Sequence, residues 1–234
     1  TRSGSVTGVQ TCALPISATV AESILVFGGS GRLGAAIVQD LVKDGHDVAV
    51  FVRPTSDRSR LKGLKVSYLQ GDLGKPDDVT SAIESGKFTV LIDATARRTG
   101  DHSYSHAVTM PRIVQSGRAS GAKQIVFISS VGAGDNIKLF PKINWTEYVP
   151  LLEERGKAER TLISSGVPYT IIRTGAVLLE SVPSTGKARL TEDQSTIGAV
   201  TRPDLAILTV ACVGKAACMN KIYHAEDDSL QLPR

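Results

Sequence analysis

The sequence predicts an α/β fold, a doubly wound parallel sheet with a small C-terminal substrate region. Two observations carry that expectation. Short apolar runs alternate with segments of helical period from residue 23 onward, the pattern of a parallel sheet covered by helices on both faces. The first run, Ser23 to Phe27, leads directly into Gly28, Gly31 and Gly34. Glycines between a buried strand and a helix N-terminus leave free amides where a phosphate can bind.

Each element follows in order. Ser23 to Phe27 reads as a buried strand. From Leu33 the apolar residues Leu33, Ala36, Ile37, Leu41 and Val42 share one helical face, and Asp44 with Gly45 supplies a stop. Asp47 to Val52 reads as a second buried strand. Further strands are expected near residues 65–69, 89–93, 124–128, 169–172 and 221–224, with helices near 77–84, 104–120, 151–165 and 201–213. Gly166 closes one helix, and Thr201 with Pro203 opens the last. Residues 176–200, rich in Ser, Thr, Gly and charge, interrupt the alternation and read either as a substrate-covering segment or as a plain surface loop.

The chain has 234 residues and a formal net charge of +4. Val6 to Ser17 resembles the translated reading frame of a sequencing-library adaptor, so residues 1–17 are expected to lie outside the native fold and residues 18–234 to form one domain. The apolar run of that opening segment is short and has no positive flank, which disfavours a signal peptide. Without Arg2 the charge is +3, a mild excess that implies no nucleic-acid partner. No apolar stretch has the length of a membrane span, so no membrane partner is expected and the protein is read as cytoplasmic. Cys12 belongs to the opening segment. Cys212 and Cys218 lack ligand-type spacing to histidines, so they are expected as reduced thiols, and no metal site is expected.

In doubly wound sheets ligands bind outside the carboxyl ends of the strands. Arg53 ends the second strand, where NAD-binding units usually place a carboxylate for the ribose 2′-hydroxyl. A guanidinium fork suits a 2′-phosphate, so NADP(H) is expected in preference to NAD(H). Arg32 in the turn, with Arg58 or Arg60 downstream, is expected to complete the phosphate pocket. Asp72 and Leu73 follow the third strand, a carboxylate for the adenine amino group and an apolar cover. Ala94, Thr95 and Ala96 follow the fourth and let a cofactor approach, while Arg97 and Arg98 are read as solvated rather than as a substrate clamp. Ser129 and Ser130 follow the fifth strand, and Thr174 and Gly175 the sixth. Tyr148, His102, Tyr104 and His106 are candidate acids, each also readable as a packing or surface residue. No nucleophile elbow, metal-ligand cluster or nucleoside-triphosphate loop is present, which sets hydrolases and kinases aside.

Together these residues resemble the atypical short-chain dehydrogenase/reductase proteins, specifically the NmrA-like NAD(P)-binding group. The resemblance rests on the glycine turn, Val52-Arg53-Pro54, Gly71-Asp72-Leu73, Ile128 to Gly132, and Gly156 to Arg173, and it runs from about residue 22 to 225. It implies a Rossmann fold with NADP(H) across the strand ends. The pyrophosphate would lie on the turn from Gly28 through Ser30, Gly31 and Leu33 to Gly34, the 2′-phosphate on Arg32 and Arg53, and the adenine on Asp72 and Leu73. The nicotinamide would lie near Ser129, Lys157, Thr174 and Gly175.

Most active members of that superfamily carry Tyr-x-x-x-Lys, and four residues before Lys157 stands Glu153. A standard alcohol dehydrogenase or sugar epimerase is therefore disfavoured. The similar isoflavone-reductase-like proteins also lack the tyrosine, which implies Lys157 as general acid or base; the alternative is that it holds the nicotinamide ribose. Ser130 and Tyr148 are the further catalytic candidates. Two functions follow. One is an NADPH-dependent reductase of a small carbonyl, quinone, enone or flavin. The other is an NADP(H)-binding sensor of the NmrA type, with a protein partner and no turnover. The missing tyrosine favours the sensor; Lys157 and a covering segment favour the reductase.

Overall fold

A strand buried on both faces needs apolar side chains at every position, and β1 (Ser23–Phe27) has them after its first residue. The computed structural model, which describes residues 21–96 and 105–232, places β1 inside an eight-stranded sheet. The other strands of this sheet are β2 (Asp47–Val52), β3 (Ser67–Gln70), β4 (Val90–Asp93), β5 (Gln124–Ser130), β6 (Tyr169–Thr174), β8 (Arg189–Thr191) and β10 (Lys221–Glu226). Their order is β3-β2-β1-β4-β5-β6-β10-β8. All neighbours are parallel except β8, which runs antiparallel to β10 at the edge. The chain reverses its direction of winding between β1 and β4, and such a switch opens a crevice at the carboxyl ends of the strands.

Side chains alternate across the strand, so each face of β1 has its own core. Ile24 and Val26 pack with Ile37 and Leu41 of α1 (Arg32–Lys43) and with Leu205 of α5 (Arg202–Ala211). Leu25 and Phe27 pack with Val79 and Ile83 of α2 (Pro76–Glu84), Met110 and Ile113 of α3 (His106–Ala119), and Leu162 of α4 (Val149–Ser164). These two layers hold the strand ends rigid on either side of the crevice.

Residues 176–200 contain more order than their composition announces. Ala176–Val177 (β7) pairs in parallel with Ala199–Val200 (β9), and between them the chain forms β8. Strands of two or three residues leave no period-two signal to read. Ser184, Thr185 and Gly186 bind the Asp204 carboxylate at the start of α5, which anchors this stretch.

One expectation is corrected. Cys212 and Cys218 are joined as a disulfide with a Cα–Cα distance of 5.4 Å, instead of standing as two thiols. The chain leaves α5 at Cys212 and turns back through a 3-10 turn over Ala216–Cys218, which brings the two residues within bonding range. The Gln124 amide donates to the Cys212 carbonyl and the Thr170 hydroxyl to the Cys218 carbonyl, fixing the loop on β5 and β6. Among the described residues no helix is long and apolar enough to cross a membrane, and no cluster of metal-ligating side chains occurs. Cys12, Arg97, Arg98, His102 and Tyr104 lie outside the described residues, as does the segment 1–17.

Candidate functional site

The glycine turn is built by close approach. Gly28 has φ +76°, and a Cβ there would lie 2.9 Å from the Ala94 carbonyl carbon and oxygen, so β1 and β4 meet in backbone contact. A Cβ at Gly34 would lie only 2.1 Å from the Gly28 oxygen. The turn is therefore folded against the first turn of α1, whose N-terminus carries no side-chain cap and no acidic residue. Open amides and an unopposed helix dipole point at a cavity of about 480 Å³. That volume suits a small-molecule or cofactor site.

Most of the residues expected from the sequence line this cavity. Gly28, Ser30, Gly31, Arg32, Leu33 and Gly34 form its floor. Arg53, Asp72 and Leu73 lie at the end formed by β2 and β3, and Ala94, Thr95, Ala96, Ser129 and Thr174 at the end formed by β4, β5 and β6. The Arg53 amide donates to the Ser56 hydroxyl, which closes a turn and leaves the guanidinium exposed. Asp72 accepts from the Gly74 amide at 2.8 Å.

Other expected residues lie elsewhere. Lys157 is exposed on the outer side of α4, beside Arg160, Thr161, Ile163 and Ser164, and does not line the cavity. Tyr148 precedes α4 and is 50% exposed. Ser130 ends β5 with its carbonyl accepting from the Ala133 amide, and Gly175 packs against the Gly198 carbonyl; neither lines the cavity. Arg58 stacks over Tyr68 at 4.7 Å, and Arg60 is paired with Glu180 at 3.0 Å, so both are engaged outside it.

The cation that α4 turns inward is Arg155. It is buried, it lines the cavity, and it donates to the Ile128 carbonyl at 2.8 Å. Helical spacing was the signal for it: Leu152, Arg155, Gly156, Glu159 and Leu162 form the buried stripe, while Glu153, Lys157 and Arg160 face out. Four residues before Arg155 stands Leu151, so this register also lacks a phenol. Phe51, Val52, Ser56, Ile128, Val177 and Arg202 complete the lining. Val177 and Arg202 come from β7 and α5, far along the chain from the turn, and no local pattern marks them.

Electrostatics divide the cavity in two. On the side of Arg32, Glu180, which does not line the cavity, bridges Arg60 and Arg32, the latter at 3.5 Å, and the Arg202 guanidinium donates to the Leu178 carbonyl. At the inner end the Ser129 hydroxyl donates to Glu159 at 2.6 Å, and Glu159 is held by Arg173 at 2.6 and 3.0 Å. The Thr174 hydroxyl donates to the Ser129 carbonyl. Asp93, at the end of β4, accepts from the Thr95 amide at 3.0 Å and the Thr95 hydroxyl at 2.6 Å. Burial pushes the Asp93 carboxyl above the usual carboxylate range, against those two hydrogen bonds and the Arg155 charge.

The NAD(P)H-binding family model matches residues 28–216. Quinone oxidoreductase 2 of Escherichia coli (strain K12) is 24% identical over 214 residues, covering 88% of this chain and 69% of that protein. The photosystem II assembly factor Ycf39 of Synechocystis is 28% identical over 153 residues, covering 64% of this chain and 43% of the relative. The chain thus matches less than half the length of that relative. Among solved structures, ChuY, described as an anaerobillin reductase from Escherichia coli O157:H7, has a TM-score of 0.78 at 21% identity, covering 90% of this chain and 100% of that one. A short-chain dehydrogenase/reductase of Veillonella parvula in complex with NADP has a TM-score of 0.69 at 14% identity, covering 91% and 98%. These structural likenesses show the fold.

Proposed function

The chain belongs to the NAD(P)H-binding family, as an atypical short-chain dehydrogenase/reductase of NmrA-like type, and from that premise we propose that it is an NADPH-dependent reductase of a small carbonyl, quinone, enone or flavin. One observation carries the reading: the cavity floored by the glycine turn is also lined by a buried cation, Arg155, and by the buried residue Thr95. The residues fit a dinucleotide. The space that a Cβ at Gly34 would fill is where the backbone must pass for amides to reach a pyrophosphate. Support for a 2′-phosphate comes from Arg32 and Arg53, with no carboxylate in the position after β2.

When bound, the nicotinamide supplies the hydride. The chain supplies position and field. Arg155 stays protonated at any working pH, so it holds ribose hydroxyls or steadies negative charge rather than exchanging protons. The Ser129 hydroxyl donates its hydrogen bond to Glu159 and so offers only lone pairs to the cavity. Ile128 and Val177 shed water from the inner end. The partner on this reading is a small molecule, with neither nucleic acid nor membrane.

A sensor would need a face for a second protein next to the cavity. Within residues 176–200 the exposed large apolar side chains reduce to Leu179, at 70%, which is too small a surface. The deciding experiment measures NADPH binding and NADPH oxidation in parallel against quinones, dicarbonyls, enones and free flavin. Turnover supports the reductase. Tight binding with no turnover on any acceptor overturns it in favour of the sensor.

A further inference from the structure

Hydride transfer to a carbonyl-type acceptor leaves an oxyanion that needs a proton, and most groups lining the cavity are unable to give one. Arg32, Arg53, Arg155 and Arg202 remain protonated. Asp72 lies at the opposite end and serves the Gly74 amide. Ser129 donates to a carboxylate and Thr174 to a carbonyl. The Thr95 hydroxyl also donates to a carboxylate, Asp93 Oδ1 at 2.6 Å, but it differs in lying 3.1 Å from a second titratable group, Nε2 of His106, both residues buried at 2% exposure or less. Two buried titratable groups on one hydroxyl, in a residue that lines the cavity with Ala94 and Ala96, is an arrangement packing alone does not require.

We propose that Thr95 is the catalytic proton donor of the reduction and that Asp93 and His106 form a buried relay that stores the proton and replaces it on the Thr95 hydroxyl. The proposal rests on the reductase reading. In the step, the hydride pair forms the new C–H bond and the carbonyl π pair moves onto oxygen. The Thr95 O–H bond breaks as the product O–H bond forms, and Thr95 takes the proton held by the Asp93–His106 pair. That pair is left as a carboxylate and a neutral imidazole, and once product has left, water in the cavity returns a proton to it through the Thr95 hydroxyl before the next turnover. Burial of Asp93 favours the pair holding its proton at rest. The Arg155 charge near Asp93 favours the carboxylate the step produces.

The test uses the whole protein with NADPH and the aliphatic dicarbonyl 2,3-butanedione as acceptor, with NADPH affinity measured on each variant by fluorescence. Thr95→Val is expected to lower kcat by about 100-fold or more, the scale of general acid catalysis, with the acceptor KM and NADPH Kd unchanged within about twofold. Thr95→Ser restores kcat to within about fivefold of the parent. His106→Gln keeps a donor amide toward Thr95 and is unable to pass a proton on, so kcat falls about tenfold or more while Kd holds. It also keeps the proposal testable if Thr95→Val folds poorly. Retention of a third of kcat in Thr95→Val or His106→Gln overturns the relay and leaves the reductase standing, as does failure of Thr95→Ser to rescue. Absence of turnover by the unaltered protein on this acceptor and on the wider panel overturns the reductase, and the relay with it.

Discussion

Replacing Gly34 by Ala sets two magnitudes against each other. Inside a helix, Ala is favoured over Gly by about 1 kcal/mol. The new Cβ, however, would stand 2.1 Å from the Gly28 oxygen and 2.7 Å from its carbonyl carbon, both backbone atoms with no rotamer to relieve them. Ordinary contact needs about 3.5 Å, so the turn must retreat by more than an ångström. Gly28 is not free to move, because its oxygen accepts from the Gly31 amide at 2.9 Å and its own Cα region abuts Ala94. Overpacking of this kind costs about 1–3 kcal/mol, which cancels or exceeds the gain in propensity. A retreat of that size also takes the amides out of reach of a pyrophosphate, and two lost charge-assisted hydrogen bonds at about 1.5–3 kcal/mol each weaken NADPH binding by about 100-fold or more. Gly31→Ala is the internal comparison, since its Cβ would meet the same oxygen at 3.1 Å and need only a small adjustment. Urea melts and NADPH titrations of the two variants check this. The reasoning fails if Gly34→Ala binds NADPH within threefold of the parent, or if Gly31→Ala is the worse of the pair.

Three further outcomes follow from the same geometry. Arg53→Ala should weaken NADPH binding by about 10- to 100-fold, the value of charge-assisted bonds to a phosphate, and NADH binding by less than about threefold; equal losses in titrations would remove the 2′-phosphate assignment. Lys157→Met should leave NADPH oxidation unchanged, while Arg155→Met should lower it by about 10-fold or more and Arg155→Lys recover part of the loss; the reverse order in steady-state assays would restore Lys157 to the site. The Asp204 carboxyl, held by hydroxyls and amides of Thr201, Ser184, Thr185 and Gly186, is lowered to about 2. Because the folded value lies below the unfolded one, its contribution is complete above pH ~4 and disappears as pH falls through 2; it amounts to at most about 2 kcal/mol, less where water screens the carboxylate. Urea melts should therefore show Asp204→Asn less stable than the parent at pH 7, with the gap narrowing by about half at pH 3; a gap independent of pH would count against it.

The parallel sheet was legible because strands buried on both faces must be apolar throughout, and helices between them must be apolar on one stripe. The end of the cavity formed by the glycine turn, Arg53 and Asp72 was legible for a related reason: these residues are local to strand ends, and position along a strand fixes which end of the sheet a residue reaches. The inner end was not. The resemblance points to Lys157 by spacing, whereas the helix decides by angle, and two residues along α4 turn a side chain through about 200° to the opposite face. Arg155 and Glu159, one turn apart, fall on the buried stripe that Leu152 and Leu162 mark by their helical period. Arg202, Val177 and the Arg60–Glu180 pair depend on contacts across more than a hundred residues, and sequence carries no local trace of them. The disulfide depends on a 3-10 turn too short to predict.

The exchange of lysine for arginine at the inner end changes what the rest of the cavity must do. An ammonium in a desolvated site can lose its proton and so serve as acid, base and ribose anchor together. A guanidinium serves only as anchor and charge. With no phenol at 151 or 153 and a cation fixed in its protonated state, proton delivery passes to groups that titrate. In this cavity those groups are reached through Thr95, where Asp93 and His106 meet one hydroxyl within 3.1 Å. A hydride acceptor whose reduced form holds its negative charge without a proton, such as a flavin or an extended quinone, would depend on Arg155 and little on Thr95. A simple carbonyl would depend on both. The Thr95→Val effect is thus expected to be large on an aliphatic dicarbonyl and small on an extended quinone, and equal small effects on both overturn the relay.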